Sequence, residues 1–495
     1  MTPRPPKDTA VATAHPYANR IGQEILDRGG NAYDAALAIS AALPVVLPQA
    51  NGLGSDLFAV IRDQSVETLN ASGPSADLAT PERFEAAGLS AIPDRGPLAS
   101  FMVPGLVAGW SFFAERASLR LPELLAPAIR CAREGVPVTP LLARAIEGMP
   151  WGDPSWQAIY GGHRLGETLR QPDLARTLER IAGDGGQGFY HGEIARSIER
   201  DMLEKGGLLR FGDLDRYEPT HPAPLRARYR GYDVYTTPPN SQGATALYWL
   251  ARLEGFGLGT MAPEKYADTL VETMYPAYEF RARSIGDPDL LPLPRDWQHS
   301  RSSSPSEETD SERSPAGRDT TAFSVFDGTV GLSVIQSNYE GFGSGHTVAG
   351  TGINLNDRGA YFTLDRTHQN VVAPRKKTFH TLMATAAVGP DLILLGSMGG
   401  DVQPQVNVQV ISAILDRGLP IQDAISAPRF AYPATIYRPG RLVAETGRRL
   451  SASVPLPASS SEMGHCQGIQ AGAEVSAGID PRGEGRLMIP GREDF

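Results

Sequence analysis

"AGRDTTAFSVFDG", residues 316–328, begins at the end of a polar run and passes at Thr320 and Thr321 into alternating apolar residues. The run before it, "QHSRSSSPSEETDSERSPAG", is rich in Ser, Glu, Arg and Pro and has little to bury, which predicts a mobile segment over about 292–319. Beyond Asp319 the segments "TTAFSVF", "VGLSVIQSN" and "LILLGSM" read as short strands, and "QPQVNVQVISAILDRG" as a buried helix. A Thr-Thr pair is a common start for a strand. What makes this one a candidate for chemistry is its place, at the joint between an expendable segment and a buried strand.

Working outward, "HPYANRIGQEILDRGGNAYDAALAISAALP" carries Ile21, Ile25, Ala32, Ala36, Leu37 and Ile39 at helical spacing around Gly29-Gly30. Two helices are predicted, the first stopped at Gly30 and the second capped by Asn31. "GLGSDLFAVIRDQSVETLNAS" alternates as a strand, a turn and a second strand. Helices dominate from 100 to about 290, interrupted by the hairpin pattern "LRARYRGYDVYTTPP". The residues therefore describe an α/β protein with a joint at 319/320.

Composition excludes several functions. The chain has 495 residues, 41% hydrophobic and 21% charged, with net charge -10 and pI near 5.5. That balance argues against nucleic acid or an anionic membrane as partner. Cys131 and Cys466 stand alone and fit neither a disulfide framework nor a metal site. No apolar leader and no run of eighteen apolar residues is present. A cytoplasmic protein that takes a small-molecule substrate, with no metal and no cofactor, is expected.

A threonine becomes a nucleophile when a base lies beside it. Cleavage just before Thr320 would create one, because a freed α-amine, with a pKa of about 7.7–8.0, reaches the hydroxyl of its own residue. The developing oxyanion needs donors, and "LLGSMGGDVQPQ" offers Gly399 and Gly400 after an apolar strand, where backbone N–H groups can approach a substrate.

Taken together, these residues resemble the gamma-glutamyltranspeptidase family of self-cleaving N-terminal-threonine hydrolases. The blocks "HPYANRIGQEILDRGGNAYDAALA", "LPQANGLGSDLF", "MVPGLVAGW", "LPELLAPAIRCAREGVPVT", "YRGYDVYTTPPNSQG", "RARSIGDPDL", "DTTAFSV", "GFGSGHTVAGTGINLNDR", "GSMGGDVQPQVNVQVISAILDRGLPIQDAISAPRF" and "EMGHCQGIQAG" follow in family order. The resemblance implies a four-layer αββα sandwich and cleavage between Asp319 and Thr320, giving a large subunit 1–319 paired with a small subunit 320–495. It implies Thr320 as nucleophile and base, Ser337 as the hydroxyl bonded to it, and Gly399 and Gly400 as the oxyanion pair.

The departures fall on the substrate's head. Where the family places its glutamate-binding arginine, "ETLNASGPSADLATP" has Ser72, with no arginine between Arg62 and Arg83. In "INLNDRGAYFT" Tyr361 takes the slot of the amine-binding acid, and Arg358 stands where a neutral amide is usual. "FHT" puts His380 and Thr381 in place of paired serines, and Ala322 replaces a histidine after the threonines. Tyr361 has a plain packing reading, His380 a structural one, and Arg358 reads as surface-facing unless a pocket opens there.

Ser72, Tyr339, Arg358, Tyr361, His380 and Thr381 are the expected substrate-contacting positions. Without the arginine and the acid, a non-glutamyl substrate is expected, cleaved at an amide or an activated C–C bond. The likeness to divergent members implies a biosynthetic role, antibiotic biosynthesis among them. A γ-glutamyl hydrolase or transferase with a rebuilt pocket is the second reading, and a non-catalytic binding relative the third.

Overall fold

The alternation of "TTAFSVF" is a strand, Thr321–Phe326, and its two faces meet different layers. In the computed structural model, which describes residues 8–299, 319–437, 440–448, 450 and 453–485, Phe323 and Val325 pack into a helical layer. Ala322 faces the opposite way, into the space between two sheets. The first sheet runs in the order Ala10–Ala12, Thr321–Phe326, Gly331–Ser337, Asp56–Arg62, Val66–Ala71, with every pairing antiparallel. The second runs Val475–Ile479, Cys466–Ala471, Leu392–Ser397, Ala384–Val388, Tyr232–Thr236, Leu225–Tyr229, again antiparallel.

The sheets meet through small and branched residues: Ala12, Val60, Ala322 and Ile335 from one, Ala384, Ala386, Leu394 and Ile469 from the other. Gly396 is where they come closest, since a Cβ there would stand 2.7 Å from Ala322 Cβ. Helices Pro16–Asp27, Ala32–Val46 and Leu106–Ala114 cover the outer face of the first sheet. Gly243–Leu253, Gln403–Leu415 and Ile421–Ser426 cover that of the second, with Pro263–Ser284 packed on Gly243–Leu253. This is the αββα sandwich of the N-terminal-nucleophile hydrolases.

Both sheets draw strands from each side of position 319/320. A cut there would separate no independently folded unit.

Local readings can be followed residue by residue. Asn31 caps Ala32–Val46 in a reciprocal box with Asp34. The first helix ends at Asp27, and the left-handed residue after it is Gly29 (φ 86°), one position earlier than the predicted stop at Gly30. Of the segment expected to be mobile, residues 300–318 lie outside the described residues. Just before them Trp297, 7% exposed, stacks on Phe280 at 5.9 Å.

Candidate active site

Register fixes the first contact. Thr321 pairs with Gln336, which sets Thr320 opposite Ser337 at the end of the two neighbouring strands. Thr321 turns to the helical side, where Asn51 Nδ2 donates to its hydroxyl at 2.8 Å. The side chain of Thr320 therefore faces the second sheet, and in the uncut chain it is only 3% exposed.

Its hydroxyl donates to Ser337 Oγ at 3.1 Å. Ser337 Oγ in turn donates to the carbonyl of Asp319 at 3.0 Å and accepts the Tyr339 N–H at 2.8 Å. One oxygen thus joins the candidate nucleophile to the carbonyl beside it.

From Tyr339 a chain of contacts runs round the site. The Arg358 guanidinium lies 4.2 Å from the centre of the Tyr339 ring, and its Nη1 donates to Thr381 Oγ at 2.9 Å. Gln242 Nε2 then bridges the carbonyls of Thr381 (2.6 Å) and Gly400 (2.9 Å). Gly399 (φ 126°) and Gly400 (φ 56°) both occupy backbone regions that favour glycine.

Asp401, immediately after them, accepts from Tyr361 Oη at 2.6 Å and from Arg281 Nη1 at 2.9 Å. Arg281 also donates to Gln242 Oε1 at 2.9 Å. Burial raises the carboxyl of Asp401 and puts Tyr361 and Tyr339 well above the usual phenol range, so both phenols stay neutral.

The expected surface position of Arg358 is corrected: it is 1% exposed. Its slot follows Asn356 and Asp357 at the turn that packs against the second sheet's helical layer, and local composition cannot reveal that. Burial lowers its pKa, opposed by Asp56, Tyr339 and Asp357.

His380 accepts the Leu382 N–H at Nδ1, 3.2 Å, which places its proton on Nε2, facing Asp56 Oδ2 at 2.9 Å. Burial holds the imidazole well below its ordinary value and pushes Asp56 up to about 7. Ser72 lies further off. It donates to Asn70 Oδ1 at 2.7 Å, and the following Gly73 N–H reaches Asp56 at 3.4 Å.

Thr320, Ser337, Tyr339, Arg358, Thr381 and Gly400 thus form one continuous set, with Tyr361 joined through Asp401. His380 and Ser72 border it through Asp56. Sequence reasoning missed Asp56, Gln242, Arg281 and Asp401. All four lie in quoted blocks, but nothing in their local spacing marks them, because their partners are distant in sequence.

Comparison with known proteins gives the family. The family model for gamma-glutamyltranspeptidase matches residues 18–489. The chain belongs to the gamma-glutamyltranspeptidase family. Within that family it is 35% identical, over a 514-residue alignment covering 97% of this chain and 98% of the relative, to the glutathione hydrolase-like YwrD proenzyme of Bacillus subtilis (strain 168). It is 34% identical, over 85% of this chain and 84% of the relative, to the oxamate amidohydrolase proenzyme of Klebsiella pneumoniae subsp. pneumoniae. Among solved structures, the cephalosporin acylase from Bacillus halodurans superposes with a TM-score of 0.85 at 31% identity, covering 98% of this chain and 96% of that one.

The protein is thus an enzyme of the family's hydrolase and acyltransferase type, and its relatives are proenzymes. Among the described residues, no helix is long and apolar enough to cross a membrane.

Proposed function

We propose that the protein cleaves itself between Asp319 and Thr320 and then hydrolyses a small, amino-acid-derived amide whose head is not glutamyl, through an acyl-Thr320 ester. The observation that carries this is the single Ser337 oxygen, 3.1 Å from Thr320 Oγ and 3.0 Å from the Asp319 carbonyl. In self-cleavage, Thr320 Oγ bonds to the Asp319 carbonyl carbon while Ser337 supports the developing oxyanion. The C–N bond then breaks, the nitrogen takes the hydroxyl proton, and water hydrolyses the resulting ester. The products are a carboxylate at Asp319 and an α-amine at Thr320, with a pKa of about 7.7–8.0, able to serve as base in later turnovers.

With a substrate the same hydroxyl attacks the acyl carbon, Gly399 and Gly400 support the oxyanion, and water releases the acid. The names of two relatives, an amidohydrolase and an acylase, favour an amide over a C–C bond. Against a glutamyl head stand the ion pair that already engages Asp401 with Arg281 at 2.9 Å and the lack of any arginine between Arg62 and Arg83.

Intact mass and a denaturing gel on fresh protein, beside Thr320→Ala, test the first half. Two chains, the smaller beginning at Thr320, with the variant uncut, are expected; a single stable chain in both would refute it. A series of γ-glutamyl, glutaryl, oxamyl and 2-keto-acid substrates tests the second half. Turnover of the γ-glutamyl amide alone would replace it with a glutathione-type hydrolase.

A further inference from the structure

Arg358 is the most unusual residue in the site. Its guanidinium is buried, yet among the described residues Nε and Nη2 have no hydrogen-bond acceptor. Nη1 alone is bonded, to Thr381 Oγ. A buried guanidinium presents a planar fork of donors, and leaving two of its nitrogens unmatched is costly unless a ligand completes them.

The neighbours do not complete them. The Tyr339 ring offers a π face 4.2 Å away. Asp56 is turned to His380 at 2.9 Å; Asp357 accepts the Glu340 N–H at 3.1 Å through Oδ1, and its Oδ2, without a hydrogen-bond partner among the described residues, lies 3.8 Å from Arg95 Nη1. The position is also the right one. Tyr339, under the guanidinium, gives its N–H to Ser337 beside the nucleophile, and Thr381, at its tip, shares Gln242 with Gly400.

We infer that Arg358 binds a carboxylate on the acyl part of the substrate, so that the natural substrates are mono-amides of short dicarboxylic acids. This deepens the reading under Proposed function and rests on it. The fork matches a carboxylate bidentately, which a neutral carboxamide of the same shape cannot reproduce. No ammonium is needed for that contact.

The test compares glutaryl and succinyl p-nitroanilides with twins in which the far carboxylate is a carboxamide, using self-cleaved wild-type enzyme and Arg358→Gln. The wild type is expected to favour the carboxylates by about 10- to 100-fold in kcat/KM. In the self-cleaved fraction of Arg358→Gln the ratio should fall to within about threefold, mainly through KM. Calorimetry with glutarate should show binding to the wild type and its loss in the variant. Should Arg358→Gln fail to fold, Thr381→Val keeps the charge but removes its hydroxyl partner, and the ratio should fall several-fold.

A cut, active enzyme that treats each pair alike, or keeps its preference without Arg358, overturns the inference and leaves the nucleophile reading standing. A wild-type chain that stays uncut overturns the proposed function, and this inference with it.

Discussion

Ser337→Ala removes one oxygen and tests the geometry on which the self-cleavage rests. That oxygen receives the Thr320 hydroxyl at 3.1 Å and donates to the Asp319 carbonyl at 3.0 Å. Loss of one donor to a developing oxyanion typically slows acyl transfer by about 10²–10³-fold, or about 2.7–4 kcal/mol. The cost to folding should be smaller. The Tyr339 N–H loses its 2.8 Å acceptor, and an unsatisfied buried donor costs about 1–3 kcal/mol. The strand pairing from Thr321–Gln336 to Phe326–Gly331 does not involve the side chain.

The assay is a time course of intact mass after cell-free synthesis, with Ser337→Thr as the variant that keeps a hydroxyl. Wild type and Ser337→Thr should convert within about tenfold of each other, and Ser337→Ala at least a hundredfold more slowly. Thermal unfolding of Thr320→Ala with and without Ser337→Ala separates the stability cost from the rate. Cleavage of Ser337→Ala within a few-fold of wild type would show that this hydroxyl does not act on the carbonyl, and the self-cleavage scheme would fail.

Other expectations follow from the same geometry. Asp56 is raised by burial from 3.8 to about 7, so the folded chain holds this proton longer than the unfolded one. Its contribution is complete below 3.8 and is lost as pH rises through 7. The Tm of Asp56→Asn relative to wild type should therefore improve across that window, and a pH-independent difference would contradict the assignment. Gly399→Ala places a Cβ 2.8 Å from Val402 Cγ2 on a backbone at φ 126°, which should cost about 1–3 kcal/mol in denaturant unfolding and depress turnover. An unchanged midpoint and rate would remove that glycine from the machinery. Arg281→Met strips Asp401 of its buried cation, at a cost of about 3–5 kcal/mol, and adding Asp401→Asn should recover part of it; no recovery would mean that the pair is not coupled. Because both sheets interleave strands from the two sides of the joint, the cleaved chains should co-elute on size exclusion until denatured. Separation under native conditions would contradict the shared sandwich.

Local patterns carried much of the architecture. Alternation in "TTAFSVF" and "VGLSVIQSN" depends only on neighbouring residues, and both segments are strands of the first sheet. The Asn31 cap is a contact between residues three apart, so it too is legible along the chain. The order of motif blocks gave the family and, through it, the αββα layers.

The site was only partly legible. Thr320 and Ser337 lie on adjacent strands of one hairpin, whereas Asp56 meets His380 across 324 positions and Arg281 meets Asp401 across 120. No periodicity records such pairs, because they form only when the two sheets and their helices close on each other. Charge alone suggested that Arg358 faces the surface. Packing between Tyr339 and Thr381 decided that it is buried, where an aromatic face and a hydroxyl receive the guanidinium. The sequence by itself determined the strands, the joint and the family; the tertiary structure decided which side chains gather around Thr320, because those contacts form only when distant segments pack together.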